Sequence, residues 1–136
     1  MKKVKLTAVI EQTENYYSAY IEEVGGIYAT GKTLAEVKNS LLEAIDVFIE
    51  TCEEYGYEIP DILTRIYEID FRMDVRSMLN IYYGIFTKAG LERLTGINQK
   101  QLWHYAKGTV TPRRSQVLKI ENAIHQLGNE LLSIRL

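Results

Sequence analysis

The residues whose types and spacing best suit chemistry lie between positions 90 and 114, and the chemistry is contact with a nucleic acid. Glutamine pairs with base edges, adenine being its favoured partner, whereas lysine and arginine neutralise phosphates. A tryptophan ring can cover a sugar or a thymine methyl group. The side chains that we expect at such a surface are Asn98, Gln99, Lys100, Gln101, Trp103, His104, Lys107, Arg113 and Arg114.

Turn residues in the same segment predict the elements that would position these groups. Residues 90–112 read as a short helix, a tight turn at 96–98, a second helix capped by Asn98, and a stop at Gly108. This is the layout of a helix-turn-helix, whose second helix enters the DNA major groove. A plain helical bundle with a polar surface would show the same spacing, so this alternative stays open.

The second of these helices has two distinct faces when it is projected at about 100° per residue. The side predicted to face the core, together with the nearby turn, contains Ile97, Leu102, Tyr105 and Ala106. The opposite side contains Lys100, Trp103, His104 and Lys107, with Gln99 and Gln101 on its flanks. An exposed tryptophan beside two lysines is an unusual surface to leave without a partner.

Charge divides the chain into halves of opposite sign. Residues 1–70 contain six Lys and Arg against fourteen Asp and Glu, a net charge of −8. Residues 71–136 contain ten Lys and Arg against four Asp and Glu. Their net charge of +6 suits the binding of a polyanion. The acidic half would attract a basic partner, although acidity also serves solubility. We therefore predict two domains, residues 1–72 and 73–136, with different partners.

The acidic half shows the pattern of a small α+β layer. Alternating apolar residues predict strands at 4–10, 16–22 and 27–30, forming an antiparallel meander, and a fourth strand at 65–71. Thr33 and Glu36 form a capping box that opens a helix, which ends at Gly56. Its predicted apolar stripe consists of Leu34, Val37, Leu41, Leu42, Ile45, Phe48, Ile49 and Cys52. The expected order is βββαβ, with one helix face buried on the sheet.

The basic half is predicted to be entirely helical. Helices are expected at 75–88, capped by Asp74, and at 89–94, with Leu91 and Leu94 facing inward. A last helix is expected at 115–127. The apolar end that follows suggests contact with a second copy, and helix-turn-helix proteins usually read two half-sites. We therefore expect a homodimer or a higher homo-oligomer through Leu131, Leu132, Ile134 and Leu136.

Enzymatic chemistry finds little support in the residues. The single cysteine, Cys52, excludes an internal disulfide and a multi-cysteine zinc site. His104 and His125 lack metal-motif spacing, and no glycine-rich phosphate loop is present. Glu11 ends the first strand without the partner carboxylates of a metal-dependent nuclease. With no 18-residue apolar run and no leader pattern, we expect a cytoplasmic protein that is not an enzyme and needs neither cofactor nor metal.

Motifs along nearly the whole chain resemble HicB antitoxins of the type with a C-terminal helix-turn-helix. The front motifs are Tyr17–Ile21, Gly26, Thr30-x-x-Thr33 with Gly31, and Leu34-Ala35-Glu36. The more specific rear motifs are Tyr82-Tyr83, Gly90-Leu91-Glu92, Leu94-Thr95-Gly96-Ile97-Asn98, His104-Tyr105, Gly108, Ile120-Glu121 and Leu127-Gly128-x-Glu130-Leu131. One departure is Val24-Gly25-Gly26-Ile27, where the family usually has a proline before the glycine and a cysteine after it.

The resemblance implies two binding functions. The N-terminal domain would be a truncated, catalytically silent relative of the ribonuclease H sheet that neutralises a HicA-type RNA-cleaving toxin. The C-terminal domain would bind the operator of the shared operon, with the toxin tuning repression. An acidic surface with exposed tyrosines is suited to cover a basic, RNA-binding toxin. The alternative function is a stand-alone helix-turn-helix transcription regulator with an N-terminal ligand-sensing or dimerisation domain.

The resemblance does not assign the individual toxin contacts, so these are predicted from the residues. We expect one acidic, tyrosine-bearing edge of the sheet, and a structural aromatic cluster is the alternative explanation for the tyrosines. The residues of this predicted edge are Glu11, Glu14, Tyr16, Tyr17, Tyr20, Glu22 and Glu23.

Overall fold

The computed structural model describes residues 3–136 as a mixed α+β protein, with a four-stranded sheet and five α-helices in that range. The chain divides between Met73 and Asp74 into two compact units. The first unit contains β1 (Val4–Gln12), β2 (Tyr17–Ile21), β3 (Tyr28–Gly31), α1 (Leu34–Tyr55), a 3-10 turn (Asp61–Thr64) and β4 (Tyr67–Arg72). The second contains α2 (Val75–Ile81), α3 (Lys88–Thr95), α4 (Gln99–Lys107) and α5 (Arg114–Ser133).

The sheet of the first unit has the order β3-β2-β1-β4. The predicted βββαβ succession and the antiparallel meander are confirmed, and β4 pairs in parallel with β1. Alternate residues of β1 point to the same face, so Leu6, Ala8 and Ile10 are all buried there. Helix α1 packs on this face through Val37, Leu41 and Ile45. The core of the unit therefore lies between one helix and one side of the sheet.

The start of α1 is set by the two predicted capping residues. The Thr33 hydroxyl accepts the N–H of Glu36 at 3.1 Å, while the Glu36 carboxylate accepts the N–H of Lys32 at 2.8 Å. The second bond differs from a standard capping box, in which the Glu would accept from the cap residue itself. The predicted inward position of Leu42 is wrong, because Leu42 is 46% exposed. Leu41, a neighbouring member of the same predicted stripe about 100° away on the helix, is fully buried as predicted.

The second unit departs from the sequence prediction at its first helix. The helix predicted at 75–88 ends at Ile81 in the structure. The chain then turns, with the Tyr82 carbonyl accepting N–H groups from Ile85 at 2.9 Å and Phe86 at 2.8 Å. Helix α3 begins afresh because the Thr87 hydroxyl accepts the N–H of Gly90 at 3.0 Å. Thr87 therefore acts as a helix N-cap at a position predicted to lie within a helix.

The core of the second unit is formed by side chains of all four of its helices and of the turn before α4. The buried apolar residues are Met78, Leu79, Leu91, Ile97, Leu102, Tyr105 and Ile120. The predicted inward position of Leu94 is wrong, since this side chain is 41% exposed. Helix α5 is longer than predicted and continues through Gly128 to Ser133. A glycine inside a helix costs about 1 kcal/mol, which is too little to end a helix by itself.

Candidate functional site

Both ends of α4, the helix predicted to carry the nucleic-acid contacts, are well defined. Gly96 adopts a left-handed conformation (φ 74°) and donates its N–H to the Glu92 carbonyl at 2.8 Å, which closes α3. The Asn98 side chain accepts the N–H of Lys100 at 2.8 Å, and Gly108 (φ 79°) ends the helix. The predicted turn, cap and stop are therefore confirmed, and they fix where α4 begins and ends.

The two predicted faces of α4 are also confirmed. Leu102 and Tyr105 are buried on the inner face, and Ile97 of the turn is buried as well. Lys100, Trp103 and Lys107 are exposed, and His104 is half-buried. We call these last four residues the α4 outer face. It combines two ammonium groups, an indole and an imidazole on a single helix.

Trp103 is the centre of a small cluster on the α4 outer face. The Lys107 ammonium lies 4.3 Å from the centroid of the indole ring, a cation–π contact. The His104 ring stands edge-on, with the ring centroids 5.1 Å apart, and its Nδ1 lies 3.1 Å from the Thr109 hydroxyl. The indole is 42% exposed, and these two neighbours lie against it.

The two glutamines occupy the flanks of this face in different ways. Gln99 is exposed, but its Nε2 donates to the Glu92 carboxylate on α3 at 2.9 Å. One amide hydrogen and Oε1 of Gln99 remain for another partner. Gln101 is half-buried on the other flank. The Glu92 contact orients the Gln99 amide, and it also puts a carboxylate beside the basic face.

Two residues of α2 that the sequence did not single out support the end of α4. Asn80 donates from Nδ2 to the carbonyls of Arg76 and Ala106, each at 2.9 Å, which ties α2 to α4. The Arg76 guanidinium lies against Gly108, where a Cβ atom would stand 2.7 Å from Nη1. A cation near the carboxyl end of a helix is favourable because carbonyl dipoles point toward it. No local pattern indicates these contacts, since Asn80 and Ala106 are 26 residues apart.

Arg113 and Arg114 stand at the start of α5 and are exposed. Arg113 is the N-cap residue, and its side chain makes no capping hydrogen bond. The first N–H groups of a helix lack carbonyl partners within the helix, so a helix start that follows two exposed arginines suits a phosphate. Five residue steps from Gly108 to Arg113 keep this helix start within about 18 Å of the end of α4.

The predicted toxin-binding edge is not gathered into one patch. Glu11, Glu14 and Tyr16 lie around the β1–β2 turn, where the Tyr16 carbonyl accepts both the N–H and the hydroxyl of Thr13. Glu22 and Glu23 follow the other end of β2, which is a strand of five residues, or about 17 Å. The acidic groups therefore form two clusters at opposite ends of the same hairpin.

The three tyrosines of the predicted edge point in different directions. Tyr17 is on the face covered by α1, where it packs against the core. Tyr20 is on the opposite face, on which no described residue of the four strands is buried, and it lies beside Tyr28 with ring centroids 6.5 Å apart. Tyr16 is 46% exposed in the turn. Of the three, Tyr17 thus serves the core, whereas Tyr16 and Tyr20 are accessible from outside.

Glu23 has a structural attachment that the sequence did not reveal. Its Oε1 accepts the backbone N–H of Thr7 at 2.7 Å. The backbone N–H of the preceding residue, Glu22, donates to the Thr7 carbonyl at 2.9 Å. Partial burial by itself raises the pKa of the Glu23 carboxyl. The hydrogen bonds from Thr7 and the nearby Arg72 charge outweigh that effect, so the pKa lies below its ordinary value.

Two further searches cover only the described part of the chain. Within residues 3–136, no three His, Cys, Asp or Glu side chains are grouped so that they could hold a metal ion. None of the helices in that range combines the length and the apolar character needed to cross a membrane. Comparison of the chain with protein-family models, curated proteins and solved structures found no significant match.

Proposed function

We propose that this protein is an antitoxin with two binding functions. Its second unit would bind operator DNA through a helix-turn-helix made of α3 and α4, and so repress its own operon. Its first unit, a partial ribonuclease H-like layer, would neutralise a HicA-type mRNA-cleaving toxin by direct contact. The observation that carries the proposal is the α4 outer face, an exposed basic and aromatic surface on a helix that is capped at both ends.

The dimensions of α4 suit a major groove. Its nine residues span about 14 Å, and the groove is about 12 Å wide and admits one helix. Gln99 and Gln101 lie in the first turn of the helix, the part that contacts base edges in this docking mode. Trp103 would cover a sugar or a thymine methyl, and Lys100 and Lys107 would neutralise phosphates.

The charge of the second unit favours the same partner. Residues 74–136 contain nine Lys and Arg against four Asp and Glu, a net charge of +5. Arg113 and Arg114 would add phosphate contacts at the start of α5. Binding that depends on phosphate neutralisation weakens steeply as salt rises, because released counterions drive it. A strong salt dependence of complex formation is therefore expected.

The first unit has the charge expected of a partner for a basic protein. Residues 1–73 contain seven Lys and Arg against fourteen Asp and Glu, a net charge of −7. The two acidic clusters of its hairpin, together with Tyr20 and Tyr28, offer carboxylates and aromatic rings on exposed strands. Aromatic rings are enriched at protein interfaces, and opposite charges speed association. The motif resemblance to HicB antitoxins adds the identity of the proposed partner.

The DNA-binding function is tested with the double substitution Lys100→Glu and Gln101→Ala. We expect it to abolish a mobility shift of the DNA upstream of the gene, because it removes a phosphate contact and a base contact and adds repulsion. Lys119→Glu, an equal charge change at an exposed position of α5, is the matched control and should retain most of the shift. Unchanged binding by the double variant would show that α4 is not the recognition helix.

The antitoxin function is tested by co-expression with a HicA-type toxin, for which a short basic reading frame beside this gene would be the candidate. We expect this protein to relieve the growth arrest that the toxin causes and to co-purify with it. The Lys100→Glu, Gln101→Ala variant should neutralise the toxin fully, because its changes lie outside the first unit. Failure of the wild type both to rescue growth and to co-purify would contradict the antitoxin function and favour a stand-alone transcription regulator.

A further inference from the structure

The second unit has another lysine that lies over an exposed aromatic ring, outside the α4 outer face. The Lys88 ammonium is 5.2 Å from the centroid of the Tyr83 ring, within the range of a cation–π contact. Tyr83 is 71% exposed in the turn after α2, and Lys88 is the half-buried first residue of α3. We call Tyr83 and Lys88 the α3 entry pair.

The turn that presents Tyr83 is held by its own contacts. The rings of Tyr82 and Phe86 lie 6.2 Å apart, and the Tyr82 carbonyl accepts the N–H groups of Ile85 and Phe86. Tyr82 and Phe86 are half-buried, whereas Tyr83 and Ile85 are exposed. Two residues of the turn therefore anchor it, and the Tyr83 ring is left accessible from outside.

The charge of Lys88 is uncompensated where it stands. The first turn of α3 contains no acidic residue, and a cation at a helix start is unfavourable because the backbone dipoles already make that end positive. Glu92 is four residues away, but its carboxylate accepts a hydrogen bond from Gln99. Among the described residues, Lys88 and Glu92 form no ion pair. An anionic ligand would supply the missing charge.

The α3 entry pair lies on the side of α3 that meets the start of α4. Lys88 and Glu92 are four residues apart, so they share one side of the helix. Glu92 contacts Gln99, the first residue of α4, at 2.9 Å. Lys88 is thus about one helical turn, roughly 5.4 Å along α3, from the residue that contacts the start of α4.

We propose that Tyr83 and Lys88 bind one phosphodiester group of the DNA strand that borders the groove occupied by α4. The Lys88 ammonium would neutralise the phosphate and the Tyr83 hydroxyl would donate a hydrogen bond to it, and both groups are common phosphate ligands. In helix-turn-helix docking the first helix of the motif, here α3, crosses the DNA backbone. The inference rests on the proposed function, because it needs α4 to be the recognition helix.

Charge favours a DNA strand over a protein as the occupant. The unit that contains the α3 entry pair has a net charge of +5, and the exposed cation of the pair would repel a basic partner such as the proposed toxin. A phosphate backbone has the opposite sign and gains from every cation that displaces a counterion.

The experiment titrates the full-length protein with duplex DNA from upstream of the gene at several salt concentrations. Lys88→Gln should lower the slope of log binding constant against log salt by about 0.9, the value for one phosphate. The same counterion term weakens binding roughly eightfold at about 0.1 M salt and vanishes toward 1 M. Arg93→Gln is the matched control, since Arg93 is an exposed cation of α3 about 140° away around the helix, and it should keep the wild-type slope.

Two further measurements separate a phosphate contact from a structural role. Because Lys88 opposes the helix dipole, Lys88→Gln should leave the urea midpoint of the second unit, followed by Trp103 fluorescence, unchanged or higher. Tyr83→Phe keeps the ring and removes only the hydroxyl, so it should weaken DNA binding with the salt slope unchanged. A lower urea midpoint for Lys88→Gln with an unchanged salt slope would make Lys88 a structural residue and overturn the proposal.

The outcomes also distinguish this proposal from the proposed function. A wild type that does not bind the DNA would remove both. Loss of binding by the Lys100→Glu, Gln101→Ala variant, with a wild-type slope for Lys88→Gln, would overturn the α3 entry pair alone. An equal fall in slope for Arg93→Gln would show a general effect of charge and would also overturn it. Impaired co-purification of Lys88→Gln with the toxin would make a protein the occupant in place of DNA.

Discussion

The two units of the chain bury apolar side chains in different ways, and each has a candidate binding surface on its outside. In the first unit a helix covers one side of a sheet, and twelve apolar side chains among the described residues are buried. In the second unit four helices bury only seven. The first unit therefore depends on a broad apolar layer, whereas the second has less apolar burial behind each helix.

The smaller core explains why polar and backbone features matter more in the second unit. Helix α4 is held by Leu102 and Tyr105 from within, by the Asn80 side chain at its carboxyl end, and by Gly96 and Gly108 at its limits. Helix α1 rests instead on a continuous row of buried side chains. We therefore expect many side chains to share the stability of the first unit and a few contacts to decide that of the second.

The largest expected effect comes from emptying equivalent core sites in the two units. Leu41→Ala and Leu102→Ala each remove a fully buried side chain, which costs about 2–5 kcal/mol. Because the second unit has the smaller core, Leu102→Ala should leave it largely unfolded at 25 °C. Leu41→Ala should lower the unfolding temperature of the first unit while leaving it folded.

The measurement uses the single tryptophan. Trp103 lies in the second unit, so its fluorescence reports the unfolding of that unit, while far-ultraviolet circular dichroism reports both. Leu102→Ala should change the fluorescence at 25 °C and Leu41→Ala should not. Equal effects of the two substitutions on Trp103 fluorescence would contradict the comparison, since they would mean that the units unfold together.

The next effect concerns two glycines at which an added Cβ atom would come within 3 Å of a neighbouring group. At Gly31 a Cβ would stand 2.5 Å from the Val37 backbone nitrogen, which cannot move without shifting α1. Gly31→Ala should therefore cost about 2–3 kcal/mol. At Gly108 the neighbour is the flexible Arg76 side chain, so Gly108→Ala should cost about 1–2 kcal/mol, mostly from the left-handed backbone.

Gly96→Ala distinguishes the cost of a left-handed backbone from the cost of a close neighbour in the second unit. Gly96 has φ 74° with nothing within 4 Å of a Cβ, so it reports the backbone penalty alone. Unfolding in urea gives the three free energies. If Gly108→Ala loses no more unfolding free energy than Gly96→Ala, Arg76 moves away without cost. If Gly31→Ala loses less unfolding free energy than both, the junction of β3 and α1 is not rigid.

Local signals were sufficient for some of these features and not for others. The caps of Thr33 and Asn98 and the stop at Gly108 are encoded within three or four neighbouring residues, and all were predicted correctly. The break between α2 and α3 was predicted too late in the chain, after residue 88, because apolar spacing continues through a stretch where Gly84 and Thr87 interrupt the helix. The parallel pairing of β4 with β1 joins segments about sixty residues apart, and no local pattern records it.

The candidate site shows the same division. The inner and outer faces of α4 follow from its own periodicity, whereas the Gln99–Glu92 bond depends on how α3 and α4 cross. The separation of Tyr17 from Tyr20 was within reach of the sequence, because residues three apart on a strand point to opposite faces. The contacts of Arg76 and Asn80 could not be predicted from the sequence, since their partners are distant along the chain.

A smaller effect is expected from the polar tie between α2 and α4. Asn80→Ala removes donors to the carbonyls of Arg76 and Ala106 and should cost the second unit about 1 kcal/mol. The first unit offers a contrast: Thr51→Ala removes a side-chain bond to the Val47 carbonyl within a single helix and should change stability by less than about 0.5 kcal/mol. Urea unfolding followed by Trp103 fluorescence and by circular dichroism gives the two values. An equal or larger loss for Thr51→Ala would remove the contrast between the two units.

The smallest expected effect tests the Glu23 carboxylate of the first unit through the pH dependence of its contribution to stability. The pKa of Glu23 is lowered in the folded state. The stability that the carboxylate contributes is therefore fully present above its ordinary pKa and is lost as the pH falls through the folded value. Glu23→Gln keeps an acceptor for the Thr7 N–H but loses the charge. Because the carboxylate is largely exposed, the loss should stay well under 1 kcal/mol at neutral pH and vanish in acid.

Glu23→Ala removes the acceptor at every pH, so part of its loss of stability should persist in acid. Urea unfolding followed by circular dichroism between about pH 3 and pH 7, which brackets the ordinary carboxyl range, measures both losses. A Glu23→Gln loss that is the same at both ends of that range would show that the charge contributes nothing and that the hydrogen bond alone anchors the end of β2.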